Sequence, residues 1–272
     1  MSMAFVDRNP TQAEIERLRL VLSTYQDGSG QLVTKEGKTL PGWRDFERAF
    51  AACLGGEAQE SKFIFDVLLT DAKRPGIHYG ISCKMRRTLS DTFRTGRVTL
   101  ELSNSSGQFW RALEQRGLNQ QNYKNNPRLA GEVLIDLVRE WHDAVGLERG
   151  GSIDLSKSFY LALSWNKSGQ YQLYKFALAL PDSDTLQWDF PNAESNGETH
   201  TGRRLRGKDE LGTLFEWYGE SGGQLKYYPL VSNALWTSDV FRLEPLPEEN
   251  IEQYGILAKA RAYFPKQWKS IL

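Results

Sequence analysis

Residues 62–85 read KFIFDVLLTDAKRPGIHYGISCKM, and this stretch decides the fold. Two mainly apolar runs, at 62–70 and 78–85, flank a turn that contains a Pro-Gly pair. Short apolar runs bounded by turn residues are typical of strands joined by a short connection. We therefore expect two neighbouring β-strands here.

The alternation of side chains along a strand places the polar residues of this pair. Ser82 and Lys84 share one face of the second strand, while Cys83 points to the other face. Asp66 lies within the first apolar run, where burying a carboxylate is costly unless a cation or hydrogen bonds compensate it. A lysine from the adjacent strand, or a divalent metal ion, would supply that compensation.

Outward from this pair, the spacing of apolar residues predicts the other elements. Helices are expected at about 12–26, 41–54, 126–145 and 248–264, the second with the apolar stripe Trp43, Phe46, Phe50 and Leu54. Strands are expected at 97–103, 159–165, 171–180, 186–190, 214–218, 225–229 and 241–243, with a loop at 193–202. The order of elements predicts an α/β fold with a β-rich C-terminal half, in one domain over residues 1–272.

Composition excludes several classes of protein. The 272 residues include 34 basic and 34 acidic side chains, which argues against a histone-like coat of nucleic acid. Apolar stretches fall short of the roughly 20 residues of a membrane helix, and the N-terminus resembles no secretory signal. Two cysteines cannot form a disulfide framework. We expect a soluble, cytoplasmic protein with no membrane partner.

An aspartate on one strand and a lysine on the next is the skeleton of metal-dependent phosphodiester hydrolysis. At Asp66 and at Ser82-Cys83-Lys84 the sequence resembles the PD-(D/E)xK nuclease superfamily, especially its type II restriction endonucleases. The usual acid before x-Lys is replaced here by Ser82. This departure resembles the Ser-x-Lys variant of the subgroup that cuts CCGG-containing sites, in which another element supplies the missing acid.

The resemblance implies a site and a fold. Asp66 and Glu101 would bind Mg²⁺ together with the backbone carbonyl of Cys83, Lys84 would assist the attacking water, and Glu47 would be the acid carried by a helix. Ser82 belongs to the same catalytic set. Either acid would be the second metal ligand: Glu47 lies on the apolar side of the second helix, and Glu101 lies downstream of Lys84, opposite in phase to the apolar residues of its strand. The implied fold is a restriction-endonuclease-like core at about 40–145, with a central mixed β-sheet flanked by helices, and a half at about 155–245 that contacts DNA or dimerises.

The resemblance also implies the partners. A homodimer would cut both strands of double-stranded DNA and leave 5′-phosphates. The segment 73–97 carries seven basic residues against one acid, a net charge of +6. Arginines neutralise phosphates and read guanine in the major groove. The predicted DNA-binding residues are Arg86, Arg87, Arg94, Arg97, Arg203, Arg204 and Arg206.

Other interpretations remain open at this point. Asp66 and Lys84 could be a purely structural ion pair, and Ser82 with Lys84 a nucleophile with its base. Cys83 could pair with His142, although a small core residue is the simpler interpretation. The chain could also be a repair or mobile-element nuclease, or a non-catalytic DNA-binding protein on the same fold. The aromatic residues of the C-terminal half could contact bases or a second copy, or fill the core.

Overall fold

A computed structural model describes residues 2–59, 64–195, 198–248 and 251–271. The helices in this part of the chain are α1 (Gln12–Ser23), α2 (Trp43–Leu54), α3 (Leu89–Thr95), α4 (Ser106–Gln115), α5 (Pro127–Asp143), α6 (Ile256–Tyr263) and α7 (Pro265–Ser270). The strands of the first half are β1 (Leu32–Val33), β2 (Thr39–Leu40), β3 (Glu57–Ala58), β4 (Val67–Thr70), β5 (His78–Arg86) and β6 (Leu100–Ser103). Those of the second half are β7 (Phe159–Trp165), β8 (Gln170–Ala177), β9 (Gln187–Asp189), β10 (Asn192–Ser195), β11 (Glu198–Thr201), β12 (Leu205–Asp209), β13 (Gly212–Tyr218), β14 (Gln224–Tyr227), β15 (Trp236–Thr237) and β16 (Phe241–Arg242). The mixed α/β class and the β-rich second half are confirmed.

The described residues divide into two compact units, each built from separate segments of the chain. Unit 1 comprises 1–96, 145–178 and 231–272, and unit 2 comprises 97–144 and 179–230. The expected catalytic core at 40–145 is therefore distributed over both units. Its assignment to one nuclease domain stays a prediction.

Unit 1 is organised by a mixed sheet in the order β15-β8-β7-β5-β4-β3, with β16 also paired to β8. The pair β5 and β7 is parallel, and the other neighbours are antiparallel. Helix α2 packs on β4 and β5 and shares a hydrophobic core with α1 and α6. Phe46 and Phe50 of α2 are fully buried in this core, so the acid between them is carried inward with them.

Local sequence accounts for the ends of these helices. Thr11 and Glu14 form a capping box at α1. Gly55 ends α2 in the left-handed conformation with φ 68°, which glycine adopts without a steric cost. Asn126 caps α5, and Pro127 occupies its first turn. These three helices agree with the sequence prediction.

Unit 2 contains an antiparallel sheet in the order β6-β14-β13-β12-β9, and its helices are α4 and α5. The buried aromatic residues of α4 contact Trp217 of the sheet, and Gly131 of α5 lets Trp188 approach closely. A row of charges crosses all five strands at one register. This charged row consists of Asp189, Arg206, Glu216, Lys226 and Glu101, so that acid and base alternate.

Several sequence predictions are corrected by the structure. Residues 192–201 form the hairpin β10–β11 rather than a loop, and helices α3 and α4 and strand β12 were not expected. The helix predicted at 248–264 begins at Ile256 and ends at Tyr263, because Pro265 starts α7. Residues 249 and 250 of that prediction lie outside the described residues, as do 62 and 63 of the predicted strand 62–70.

The expected burial of aromatic residues is wrong for Trp43 of α2 and correct for part of the second half of the chain. Trp43, assigned to the buried stripe of α2, is 51% exposed. By contrast, the core interpretation holds for four aromatic residues of the second half, which are at least nine-tenths buried. These are Tyr171, Tyr174, Trp217 and Tyr227.

Candidate active site

The acid and the lysine of the strand pair are in contact. Asp66 lies directly before β4, and its backbone N–H donates to the carbonyl of Ile81 on β5 at 3.0 Å. Lys84 Nζ donates to Asp66 Oδ2 at 2.9 Å. Both side chains are partly buried, with exposed fractions of 18% for Lys84 and 25% for Asp66. The strand pairing therefore aims a cation and a carboxylate at the same point, where both remain accessible to solvent.

The two residues between Ile81 and Lys84 are oriented differently. The Ser82 hydroxyl donates to Asp66 Oδ2 at 3.3 Å, so it faces the same carboxylate as Lys84. The Cys83 side chain is buried, and burial raises the pKa of its thiol well above the usual value, with further contributions from Asp66 and Glu47. A thiol kept protonated in this way is a poor nucleophile. The Cys83–His142 interpretation accordingly has no support from the acidity of the thiol.

The backbone carbonyl of Cys83 has a defined direction. Successive carbonyls of a strand point to alternate sides, and the Ile81 carbonyl points toward Asp66, from which it accepts a hydrogen bond. The Cys83 carbonyl, two residues further along β5, therefore points to the same side of the strand. The carbonyl oxygen of Cys83 is thus directed toward the side of β5 on which Asp66 lies.

Glu47 is the second carboxylate of this region. Helix α2 carries it inward between Phe46 and Phe50, and only 8% of the residue is exposed. Burial and, second to it, the negative charge of Asp66 together raise the pKa of Glu47 to about 8, against the opposing effects of Lys84, Arg44 and Arg48. This electrostatic coupling assigns Glu47, Asp66, Ser82 and Lys84 to one group, which we call the acid–lysine cluster.

Glu101, the other predicted metal ligand, belongs to unit 2. It lies on β6, and its carboxylate accepts hydrogen bonds from the side-chain amides of Asn104 and Gln224. It is also the last member of the charged row, opposite Lys226. Within its own unit, Glu101 is therefore already engaged by polar partners.

The oxygen atoms at the acid–lysine cluster suit a hard divalent cation, since they are the carboxylate oxygens of Asp66 and Glu47 and the nearby backbone carbonyl of Cys83. The negative charge of Asp66, which raises the pKa of Glu47, also favours a cation close to the two side chains. However, no group of three or more His, Cys, Asp or Glu side chains in the described part of the chain is arranged to hold a metal ion. Any cation here would need backbone or water oxygens in addition to Asp66 and Glu47.

Most of the predicted DNA-binding arginines are paired with acids inside their own unit. Arg94 pairs with Asp91 at 2.7 Å, and Arg97 with Asp209 at 2.8 Å. In unit 2, the partners are Glu220 for Arg203, Glu216 for Arg204 and Asp189 for Arg206. Arg87 instead lies over the ring of Trp165, 5.7 Å from its centroid, and Arg86 is the last residue of β5.

Sequence reasoning missed Arg44. It lies one turn before Glu47 on α2, and its positive charge lowers the pKa of that acid. The spacing of three residues on a predicted helix was the available signal.

A cavity of about 600 Å³ in unit 1 lies elsewhere. Four of its charged lining residues form two ion pairs, Asp7 with Lys157 at 2.7 Å and Asp71 with Arg74 at 2.7 Å. None of the four residues of the acid–lysine cluster lines it. The cavity therefore does not define the site.

None of the helices in the described ranges is long and apolar enough to cross a bilayer. Comparison with known proteins gave no matching family model, no matching curated protein and no matching solved structure.

Proposed function

We propose that the chain is a Mg²⁺-dependent, sequence-specific double-stranded DNA endonuclease of the restriction type. The observation that carries the proposal is the contact of 2.9 Å between Lys84 and Asp66 on neighbouring strands, with Glu47 buried beside them. The mixed sheet with an acid-bearing helix against it supports a restriction-endonuclease-like core. An acid pair next to a lysine is a chemically sufficient starting point for phosphodiester hydrolysis.

Each side chain has a role in this proposal. Lys84 Nζ is placed to donate to an attacking water or to a phosphate oxygen, and its charge offsets the charge that develops on the phosphate. Ser82 holds the Asp66 carboxylate through its hydroxyl. Asp66, Glu47 and the Cys83 carbonyl would hold Mg²⁺. When bound, Mg²⁺ would polarise the phosphate and lower the pKa of a coordinated water.

The proposal includes the working form of the protein. Two copies related by a two-fold axis would cut both strands of a palindromic site in the cytoplasm and leave 5′-phosphates. Arg87 is the best supported of the predicted DNA contacts. It follows Lys84 by three residues, and its guanidinium lies over the ring of Trp165. Glu101 remains the alternative second acid that the resemblance implies.

One observation favours a second function. Ser82 stands where the superfamily usually has an acid, and the described side chains offer no group of three metal-binding residues. A non-catalytic DNA-binding protein on the same fold would have this composition. A repair or mobile-element nuclease would share the site but lack sequence specificity.

Digestion of long linear DNA tests the proposal. Purified protein is incubated with the DNA and Mg²⁺, beside Lys84→Gln, whose amide can still donate to Asp66 and preserve the strand contact. We expect discrete fragments from the wild type and a loss of at least about 100-fold in Lys84→Gln.

Lys157→Gln is the matched control, since it removes a lysine from another ion pair of unit 1, with Asp7. It should cut like the wild type, and all three proteins should show the same circular dichroism. DNA binding without cutting in Mg²⁺ or Mn²⁺ would overturn the catalytic proposal in favour of the non-catalytic function. A smear instead of discrete fragments would assign the chain to the non-specific nucleases.

A further inference from the structure

The first turn of α2 presents an aromatic ring and a cation side by side. Trp43 is 51% exposed, and the Arg44 guanidinium lies 4.8 Å from the centroid of its ring. A single exposed tryptophan is common on protein surfaces and has no special meaning. Here the exposed ring packs against a guanidinium on the helix that carries Glu47 of the acid–lysine cluster, a combination that a single exposed tryptophan does not provide.

The backbone that carries this pair is held in place by three hydrogen bonds. The Arg44 N–H donates to Gln31 Oε1 at 2.9 Å, and the N–H groups of Gln31 and Gly42 both donate to Asp45 Oδ2 at 2.8 Å. A Cβ at Gly42 would lie 2.6 Å from the Gln31 side chain, so the two segments are in close contact. Trp43 is thus displayed from a fixed position and is not exposed by fraying of the helix.

Arg44 also differs from the arginines that the sequence singles out. In the described ranges, no carboxylate lies within ion-pairing distance of its guanidinium, whereas Arg94, Arg97, Arg204 and Arg206 each pair with an acid. Its charge still reaches the cluster, because it lowers the pKa of Glu47 one turn away. The Arg44 guanidinium is therefore free to take an anionic ligand at the edge of the cluster.

We propose that Trp43 and Arg44 form a nucleotide-binding element for the DNA strand that is held at Asp66 and Lys84; this inference rests on the proposed function. Arg44 binds the oxygens of a phosphate next to the scissile one, since a guanidinium offers two parallel donors to a phosphate. The Trp43 ring packs against the sugar or base of the adjoining nucleotide, as aromatic side chains do in nucleic-acid grooves. The ring also keeps the guanidinium oriented while no DNA is bound.

Fluorescence anisotropy with a labelled duplex of mixed sequence tests this element, with Ca²⁺ in place of Mg²⁺ to prevent cutting. Arg44→Gln is expected to weaken binding about fivefold to tenfold and to reduce the slope of log Kd against log salt by about one. Trp43→Ala is expected to weaken binding by about fivefold or more, and Trp43→Phe to restore most of it.

Arg261→Gln is the matched control. It removes an equal charge from another exposed arginine of unit 1, one that lies 5.6 Å from the ring of Trp268. Equal affinities of Arg44→Gln and Arg261→Gln would overturn the inference. A change in the oligomeric state of the Trp43 variants with unchanged DNA affinity would also overturn it, and would identify a contact between copies.

The same proteins separate this inference from the proposed function. If the wild type cuts DNA and the Arg44 and Trp43 variants bind and cut equally well, the inference fails while the function stands. If binding depends on Arg44 but no cutting occurs in Mg²⁺ or Mn²⁺, the function fails while the element stands. A wild type that neither binds nor cuts overturns both.

Discussion

Units 1 and 2 each bring acids and bases together on a β-sheet, but they arrange them differently. In the charged row of unit 2, acid and base alternate across five strands, and each end of the row is an acid with a basic neighbour. In the acid–lysine cluster of unit 1, two carboxylates share one lysine, and the pKa of one of them rises to about 8. The difference separates an alternating row of charges from a cluster that contains a strongly perturbed acid, and strongly perturbed acids are concentrated at functional sites.

The response of stability to pH should differ most between the two regions. Glu47 has a pKa of about 8 in the folded chain against a usual value of 4.5. Between these values the unfolded chain has lost the proton and the folded chain retains it, so the free energy of unfolding falls as the pH rises, and the penalty is complete above about pH 8. Glu47→Gln should therefore stabilise the protein at about pH 9, by about 2–4 kcal/mol relative to its effect at about pH 4.

Urea denaturation at a series of pH values measures this effect. Glu210→Gln, at an exposed acid of unit 2, is the control and should leave the pH dependence unchanged. An identical pH profile for Glu47→Gln and the wild type would contradict a buried, protonated Glu47.

Removing Asp66, the other acid of the cluster, should have a smaller effect, both on the pKa of Glu47 and on the free energy of unfolding. Asp66→Asn takes away the negative charge that raises the pKa of Glu47 and leaves Lys84 without its partner. We expect the Glu47 pKa to fall and the free energy of unfolding to decrease by about 1–2 kcal/mol at neutral pH, since the pair is only partly buried. Carbon-13 NMR titration of the Glu47 carboxyl measures the first effect, and an unchanged Glu47 titration would show that the two acids are not coupled.

Removing the charge of the central acid of the charged row should lower stability by a smaller amount. Glu216 accepts hydrogen bonds from the hydroxyls of Tyr218 and Tyr228 at 2.9 and 2.7 Å. Glu216→Gln keeps an acceptor oxygen and removes the charge, so we expect a loss of about 1 kcal/mol. Urea denaturation at neutral pH measures this loss, and a stability equal to that of the wild type would show that the charge of Glu216 contributes nothing to the sheet.

Asp189, at one end of the charged row, should contribute least to the free energy of unfolding. Burial raises the pKa of Asp189, but hydrogen bonds from Lys208 and Arg206 outweigh burial and lower it overall. The carboxylate is 42% exposed, so solvent screens the pair. Asp189→Asn should lower the free energy of unfolding by at most about 0.5 kcal/mol. A larger loss in the same denaturation experiment would show that the row acts cooperatively.

Periodicity predicts the parts of the site that are local in sequence. Asp66 and Lys84 meet because two adjacent strands form an antiparallel pair, and Glu47 turns inward because it lies between two buried phenylalanines. Trp43 obeys the same helical period, yet it is exposed; it is the first residue of α2, where hydrogen bonds from Gln31 and Gly42 to Asp45 fix the start of the helix. A contact of that kind has no periodic signature.

The partners of the arginines were beyond sequence reasoning for a different reason. Arg97 binds Asp209, which lies 112 positions further along the chain. The two residues come into contact because unit 2 is assembled from two separate segments of the chain. Strand β12 was hidden because Arg206 and Lys208 resemble a basic surface run. Its buried alternate residues, Leu205 and Gly207, are the signal that a period of two would have given.

The parallel pairing of β5 with β7 has a consequence for the order of folding. The contact between Asp66 and Lys84 closes a loop of only 18 residues, and such local contacts form early and at a low entropic cost. The first pair of the β5–β7 ladder, Ile81 with Phe159, instead closes a loop of 78 residues that contains the whole segment 97–144 of unit 2, so its entropic cost is higher. We therefore expect Asp66 and Lys84 to meet on a nascent hairpin before β7 pairs with β5, and a refolding experiment would detect the two events as separate phases.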